Sequence, residues 1–507
     1  MNLFIGLDVG TSAVKGVLMS EEGDILAQGK RLTQFLHPQA DFIELSPEDH
    51  YQSVCDLIRE LASSVPAGSS VAALSMAAAS GNTLLTGGAG QPLTNIISWL
   101  DTRAVKEASE LLPDFDSEQI HQIVGWPWVG SFPLGHLAWL KSHASETYHN
   151  ASHYGMNSDY LLFRLTEKWG MDPSTATTFY LQDQRKRRWH LPYLERLEIS
   201  EENLSTLLPS GSVLGALTPR AVKDTNLSEQ TLIVLGAFDH PCAARGTGMF
   251  QPGDLLLSCG TSWVGFYPLE NRELALSQTL LIDPFLTPDG PWGAMFSLAR
   301  IGTKIDWYIN HLILQPGDKS SDRYNIFNTF AQQAPPGANG LYINPCRDIS
   351  DLPEEVAALN ARYTREEIAR AVMEGAAFEM RRKIQELTEA GIPARRIAMV
   401  GGPAESPIWP RIVAEITGLE LRLINGQNAG AVGAAILAGV GAGAFRNEID
   451  AFSRMGGQAS CISPSASAQN LYASLYEIYR QNLPTPPLSP ASGGNGSTSP
   501  ACGGLRG

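Results

Sequence analysis

The sequence predicts an α/β protein of two or three domains built around a duplicated strand–turn–strand unit. Three observations carry the prediction. An apolar run (Leu3, Phe4, Ile5, Leu7) ends in Asp8-Val9-Gly10-Thr11-Ser12, and the pattern returns where Leu255-Leu256-Leu257 leads through Ser258-Cys259 into Gly260-Thr261-Ser262 and a second apolar run, Trp263 to Tyr267. Strand-like and helix-like periodicities alternate along the chain. Its 507 residues exceed what one hydrophobic core supports.

A Gly-Thr-Ser turn suits an anion: glycine lets the backbone come close, successive N–H groups point the same way, and two hydroxyls add donors. Alone, such a turn is most often an ordinary hairpin connection. Its repetition between apolar strands is what points to phosphate. Neither copy is a Walker loop or a dinucleotide fingerprint, because each leads into another strand rather than a helix.

Composition narrows the class. A hydrophobic content of 43% is that of a soluble globular protein, and a net charge of −15, from 52 acidic against 37 basic residues, speaks against nucleic acid or an anionic membrane as the main partner. No basic segment with an apolar run opens the chain and no stretch of about eighteen apolar residues occurs, so neither a signal peptide nor a membrane span is read and a cytoplasmic location is expected. The six cysteines (Cys55, Cys242, Cys259, Cys346, Cys461, Cys502) have neither zinc-ligand nor disulfide-framework spacing and read as reduced, mostly buried thiols.

Leu3–Asp8, Ala13–Met19 and Asp24–Gln28 read as an antiparallel meander, with a hairpin signal at Glu21-Glu22-Gly23-Asp24. Ser46-Pro47-Glu48-Asp49 opens a helix whose apolar face is Val54, Leu57, Ile58 and Leu61. The strand Val71–Met76 ends in the small-residue run Ala77-Ala78-Ala79-Ser80-Gly81-Asn82, which borders either a ligand or a tightly packed helix. Ile97 to Arg103 brings Trp99 next to an Asp101/Arg103 pair, whose plain reading is a structural ion pair. Between Glu107 and Ser205 the chain is helical and loop-rich; most of Trp126, Trp128, Trp139, Trp169 and Trp189 should be core, with a sugar site as the alternative for some.

Leu232–Leu235 runs into Gly236-Ala237-Phe238-Asp239, a carboxylate at the end of a buried strand just ahead of the second phosphate-type turn. Helical potential follows at Ile301–Trp307, then a long helix with the capping box Thr364-Arg365-Glu366-Glu367 and Gly391 at its end. The strand Arg396–Val400 enters a third glycine turn, Gly401 to Ser406, which opens a helix over Ile408–Thr417 whose N-terminus is placed to face a nucleotide. Asn428 to Ala435 starts a small-residue helix that packs very closely on a neighbour. Leu471–Leu483 reads as a final helix, and 485–507 as a disordered Pro/Gly/Ser tail.

In this order, Asp8-x-Gly10-Thr11-Ser12, Trp99-x-Asp101-x-Arg103, Ser158-Asp159-Tyr160, Gly236-x-x-Asp239, Cys259-Gly260-Thr261-Ser262, Gly401-Gly402 and the run from Ala429 to Ala435 resemble the FGGY family of carbohydrate kinases, most closely its xylulokinase-like members. The resemblance covers about residues 2–485 and implies two ribonuclease-H-like domains of the actin/hexokinase type flanking a nucleotide cleft. It implies a division into 1–246, with the sugar site and first phosphate loop, and 247–484, with the ATP site. It further implies ATP and Mg²⁺: Gly10, Thr11, Ser12, Gly260, Thr261 and Ser262 on phosphates, Gly302, Gly402, Pro403 and Ser406 around the adenosine, Asp8 acting on Mg²⁺ through water, and Asp239 as catalytic base. Ala79, Ser80, Trp99, Asp101 and Asp239 would meet the sugar or polyol. A homodimer is the assembly common among relatives.

Phosphoryl transfer calls for such parts on general grounds: N–H donors, a metal held by a carboxylate or its waters, and a base near the acceptor hydroxyl. Closure of two half-sites excludes water, with a hinge expected near Ala244–Phe250. Two departures from the family pattern concern the substrate. Ala79-Ser80 stands where xylulokinases carry a sugar-touching Met-His pair, and Ile343-Asn344-Pro345-Cys346-Arg347 differs from an aromatic-rich, sugar-proximal segment. A ketopentose is the first expectation; another ketose or polyol (a hexulose, a sugar alcohol, glycerol) is the alternative. A catalytically silent sensor would have lost Asp8, Asp239 or a phosphate turn, and an actin-like assembly protein would show a polymerising surface.

Overall fold

The computed structural model describes residues 2–79, 81–287, 290–347 and 353–482; Ser80, Cys502 and the tail 485–507 lie outside the described residues. Two sheets dominate. In the first, β1 (Asn2–Val9), β2 (Ala13–Ser20) and β3 (Ile25–Leu32) form the expected meander, and β4 (Ser70–Ala78) joins β1 in parallel. The far edge is β5 (Val213–Ala216), antiparallel to β6 (Leu232–Phe238), which runs parallel to β4. β1 is apolar almost throughout because both its faces are covered, whereas the edge strand β3 alternates in exposure and runs four residues past the expected Gln28. Helix α1 (Pro47–Ala62) lies on one face, its first turn capped by the Ser46 hydroxyl accepting the Asp49 N–H. The short α2 (Pro173–Thr177) packs against β6, and α3 (Asp239–Thr247) leaves the end of that strand.

The second sheet repeats the scheme. β7 (Asp254–Cys259) and β8 (Trp263–Leu269) flank the second Gly-Thr-Ser turn; β9 (Leu281–Asp283) and β10 (Trp292–Leu298) extend the antiparallel side. β11 (Arg396–Gly401) and β12 (Glu420–Leu423) add in parallel on the other side of β7, and β13 (Ser460–Ile462) closes that edge antiparallel. Aligning the two turns sets Asp8 opposite Ser258, so only the first repeat carries an acid there.

Helix α4 (Ile301–Tyr308) follows β10. The long α5 (Arg365–Glu389) has the expected capping box, and α6 (Trp409–Thr417) begins one residue later than expected. The small-residue helix is α7 (Ala429–Gly441). Although it follows the second sheet's strands in sequence, it packs on β1, β4 and α3 of the first. Its closeness is a backbone contact: a Cβ on Gly6 would stand 1.9 Å from the Ala431 carbonyl oxygen, and one on Gly433 would stand 1.8 Å from that of Cys242. The last helix, α8 (Ala466–Asn482), starts earlier than expected because the Ser465 hydroxyl caps it through the Ala468 N–H.

No helix among the described residues is long and apolar enough to cross a membrane. Cys55, Cys242 and Cys259 are buried free thiols, Cys346 is partly buried and Cys461 is exposed.

Candidate active site

The strand ends converge first. Asp8 pairs with Ala77 across β1 and β4, and Ala77 with Ala237 across β4 and β6, which puts Ala237 two strand spacings or about 10 Å of backbone from Asp8; Asp239 follows two residues later at the same end of the sheet. The alanines between them keep the sheet top low. Asp239 begins α3, where its Oδ1 accepts the His240 N–H at 2.6 Å, and its side chain is 28% exposed. Burial, then the negative charge of Asp239, pushes the Asp8 carboxyl up to about 6, while Lys15 pulls the other way. Asp8 and Asp239 are the two acids of this rim and the residues that would support a divalent cation here. No cluster of three or more ligating side chains occurs among the described residues, so a cation here would draw on water and phosphate as well, the habit of Mg²⁺.

A cavity opens beside this rim, lined by Val9, Gly10, Thr11, Phe35, Leu45, His50, Ala79, Asn82, Ser98, Trp99 and Asn157. Trp99 joins it to the first Gly-Thr-Ser turn by donating its indole N–H to Thr11 Oγ1 at 3.0 Å. Asn82 is fully committed: its amide donates to Ala79 O and Asn157 Oδ1, both at 3.1 Å, and its Oδ1 accepts the Trp99 N–H at 3.2 Å. His50 is buried and its Nε2 has no partner; burial alone pushes its imidazole down to about 4, which leaves it neutral. None of the described lining residues is Lys or Arg.

On the other side, the second turn is open. Gly260 and Thr261 are exposed and Ser262 accepts the Arg300 N–H at 2.9 Å. Gly302 donates its N–H to Thr261 O at 2.9 Å and sits so close that a Cβ would stand 2.3 Å from Gly260 O. Gly401 packs the same way on Cys259 O, at 2.3 Å from a built Cβ, while Gly402 faces open space. Pro403 belongs to a tight 3₁₀ turn (Gly402–Glu405). Ser406 accepts the N–H groups of Ile408 and Trp409 and donates to Asn328 Oδ1. That cap engages the Ile408 and Trp409 N–H groups at the start of α6.

Several sequence expectations shift. Asp101 is wholly buried and saturated: Arg103 binds it through Nε (2.9 Å) and Nη2 (2.7 Å), and the Ile43 N–H donates to its Oδ2 at 2.6 Å. The same Arg103 Nη2 reaches Glu44 Oε1 at 2.5 Å, so the group is an ion-pair brace behind Trp99. Asp159 accepts the Met156 N–H and the Ser205 hydroxyl, bonds that fix a helix start. None of Trp126, Trp128, Trp139, Trp169 and Trp189 lines the cavity; Trp126, for one, packs edge-on against Phe132 and Phe238. Ile343–Arg347 lies against α5, where Lys304 holds Cys346 O, and not at the cavity. Reading the sequence did not single out His50 or Asn157, which converge only through folding.

Comparison with known proteins accords with this geometry. The model of the FGGY family of carbohydrate kinases, N-terminal domain, matches residues 3–246, and that of the C-terminal domain matches residues 255–442. The chain is 25% identical over 488 residues to the xylulose kinase of Bacillus subtilis, covering 95% of this chain and 96% of the relative. It is 26% identical over 461 residues to the autoinducer-2 kinase of Salmonella typhimurium, covering 87% and 86%. The crystal structure of gluconate kinase from Lactobacillus acidophilus superposes with a TM-score of 0.81 at 22% identity, over 95% of this chain and 97% of that one.

Proposed function

Since this chain belongs to the FGGY family of carbohydrate kinases, we propose that it moves the terminal phosphoryl group of ATP to a hydroxyl of an uncharged ketose, a ketopentose in first place, with Asp239 as general base. The carrying observation is the placement of Asp8 and Asp239 on one rim, next to a cavity of mixed polar and apolar lining that the first Gly-Thr-Ser turn borders.

In this reading the acceptor sugar enters the cavity and is oriented by Trp99, Asn157, His50 and the small Ala79. Asp239 takes the hydroxyl proton as the oxygen attacks; at the start of α3 and 28% exposed, its side chain is reachable for that step. The Gly10 and Gly260 N–H groups close their turns on Ala13 O and Ser262 O, which leaves Thr11, Ser12, Thr261 and Ser262 to offer donors to phosphate oxygens from opposite domains, and Gly302, Gly402 and Pro403 border the base and ribose. Asp8 would be the carboxylate that supports Mg²⁺, which when bound would supply charge neutralisation for the phosphates. The functional partition falls at 246/247, with closure about Ala244–Phe250 keeping water from the reacting phosphate.

The lack of Lys or Arg among the described cavity residues favours an uncharged acceptor over an aldonate such as the gluconate in the name of one structural relative. A hexulose, a sugar alcohol or glycerol is the second reading. The test is ADP release with Mg-ATP on a panel of pentuloses, hexuloses, polyols and gluconate, run beside Asp239→Asn. Turnover on an uncharged ketose, lost in the variant, supports the proposal; turnover confined to gluconate, or an unimpaired Asp239→Asn, overturns it.

A further inference from the structure

Strand β9 pairs within the second sheet, yet its other side is bonded to the first half of the chain. The Ile282 N–H donates to Gly125 O at 2.8 Å, Gln184 Nε2 donates to Ile282 O at 2.8 Å, His121 Nε2 bonds Leu280 O at 2.8 Å, and the Arg245 guanidinium reaches Phe285 O. At the end of this seam Asp283, 1% exposed, accepts the Ser174 hydroxyl proton into Oδ2 at 2.6 Å. Its Oδ1 is buried without a partner. Ser174 has one proton and gives it to Asp283, so its oxygen acts as acceptor for the Phe238 N–H at 3.1 Å. Phe238 is the residue before Asp239.

We propose that Asp283 is a positioning residue for phosphoryl transfer, which holds the Phe238 peptide through Ser174 and so fixes the aim of Asp239 from the second domain. The proposal rests on the reading of Asp239 as base. The ladder of β6 with β4 shifts register between Val234 and Ala237 and resumes with Phe238 opposite Ala78, so the Ser174 bond is a second tie on the peptide that carries Asp239. The intermediary is itself rigid: Asp172 caps α2 by accepting the Thr175 N–H at 2.9 Å, and Gln182 Nε2 donates to Pro173 O at 3.2 Å. Arg245, Asp172 and Asp239 are the charged groups around Asp283, and burial first among the causes pushes its carboxyl up to about 7. Burial with one oxygen unpaired is what resists ionisation there, and an amide oxygen can take the same Ser174 hydrogen bond.

The experiment compares Asp283→Asn, Asp283→Leu, Ser174→Ala and the Ser174→Ala/Asp283→Leu double variant, on Mg-ATP with the most active compound of the panel and on sugar-free ATP hydrolysis. Asp283→Asn, which keeps an acceptor oxygen, should retain kcat to within about threefold. Asp283→Leu and Ser174→Ala should each lose about ten- to hundredfold in kcat with KM for both substrates little changed, the effect of a slightly misplaced catalytic group. The double variant should be no worse than the singles, because one hydrogen-bond chain is broken once. Losses that multiply in the double variant, or kcat unchanged while thermal stability falls, would overturn the proposal. Should Asp283→Leu fail to fold, Ser174→Ala decides with Asp283→Asn as its control. Asp239→Asn run alongside separates the two readings: activity there removes the base assignment, whereas inactivity there with an active Ser174→Ala removes only the role of Asp283.

Discussion

The Asp8 carboxylate and the Gly430 α-carbon are so close that a methyl group on Gly430 would stand 3.0 Å from both Cγ and Oδ2 of the acid. Gly430 is the second residue of α7, so the helix that carries it sets the space around Asp8. Gly430→Ala should lower kcat by about tenfold or more through displacement of Asp8. Its melting temperature should hold, because alanine is the better helix former by up to about 1 kcal/mol. Coupled-assay kinetics and a thermal melt read both arms.

The pH dependence of stability follows from raised acids. Asp8 and Asp172 are pushed up to about 6 and Asp283 to about 7, each by burial first, from an ordinary value of 3.8. Such groups stabilise the fold while protonated and lose that contribution as pH rises through the folded-state value. Urea midpoints of the unliganded protein should therefore fall between pH 4 and pH 7, and Asp8→Asn should flatten the lower part of that slope.

Trp99→Phe removes the indole donor from Thr11 Oγ1 and keeps the ring. One neutral hydrogen bond is worth about 1 kcal/mol, so kcat/KM should fall by about fivefold with the fold intact, as circular dichroism would verify. A loss beyond about a hundredfold would mean that the ring, and not its N–H, had been disturbed.

Arg103→Ala leaves Asp101 wholly buried and Glu44 nearly so without their cation. Breaking one partner out of a buried ion pair costs about 3–5 kcal/mol. Equilibrium unfolding should report a loss of that size, together with a raised KM for the sugar because the brace stands behind Trp99.

What could be read from the residues was what depends on neighbours in sequence. The twin Gly-Thr-Ser turns, the Thr364 capping box and the close-packing helix after Asn428 all announce themselves within a few residues, and the sheets and helices appear where those signals stand. The cavity was harder. His50 sits in the first turn of a helix that reads as merely amphipathic, and Asn157 stands just before the motif Ser158-Asp159-Tyr160, whose Asp159 turns inward to cap and brace. Asp101 and Arg103 are local, but Glu44, the third member, arrives from another strand. The link from Asp283 to Ser174 spans the two halves of the chain, a distance over which periodicity carries no signal.

The threading of α7 has a consequence for synthesis. Phe4, Val17, Met19, Ala73 and Val234 of the first sheet form one core with Ala431, Val432, Ala435 and Ile436, residues that leave the ribosome long after the sheet itself. At about 5–20 residues per second the delay between β6 and α7 is on the order of 10–40 s. Throughout that interval the nascent sheet lacks the helix that covers one apolar face, so a polypeptide ending at residue 246 should aggregate on expression.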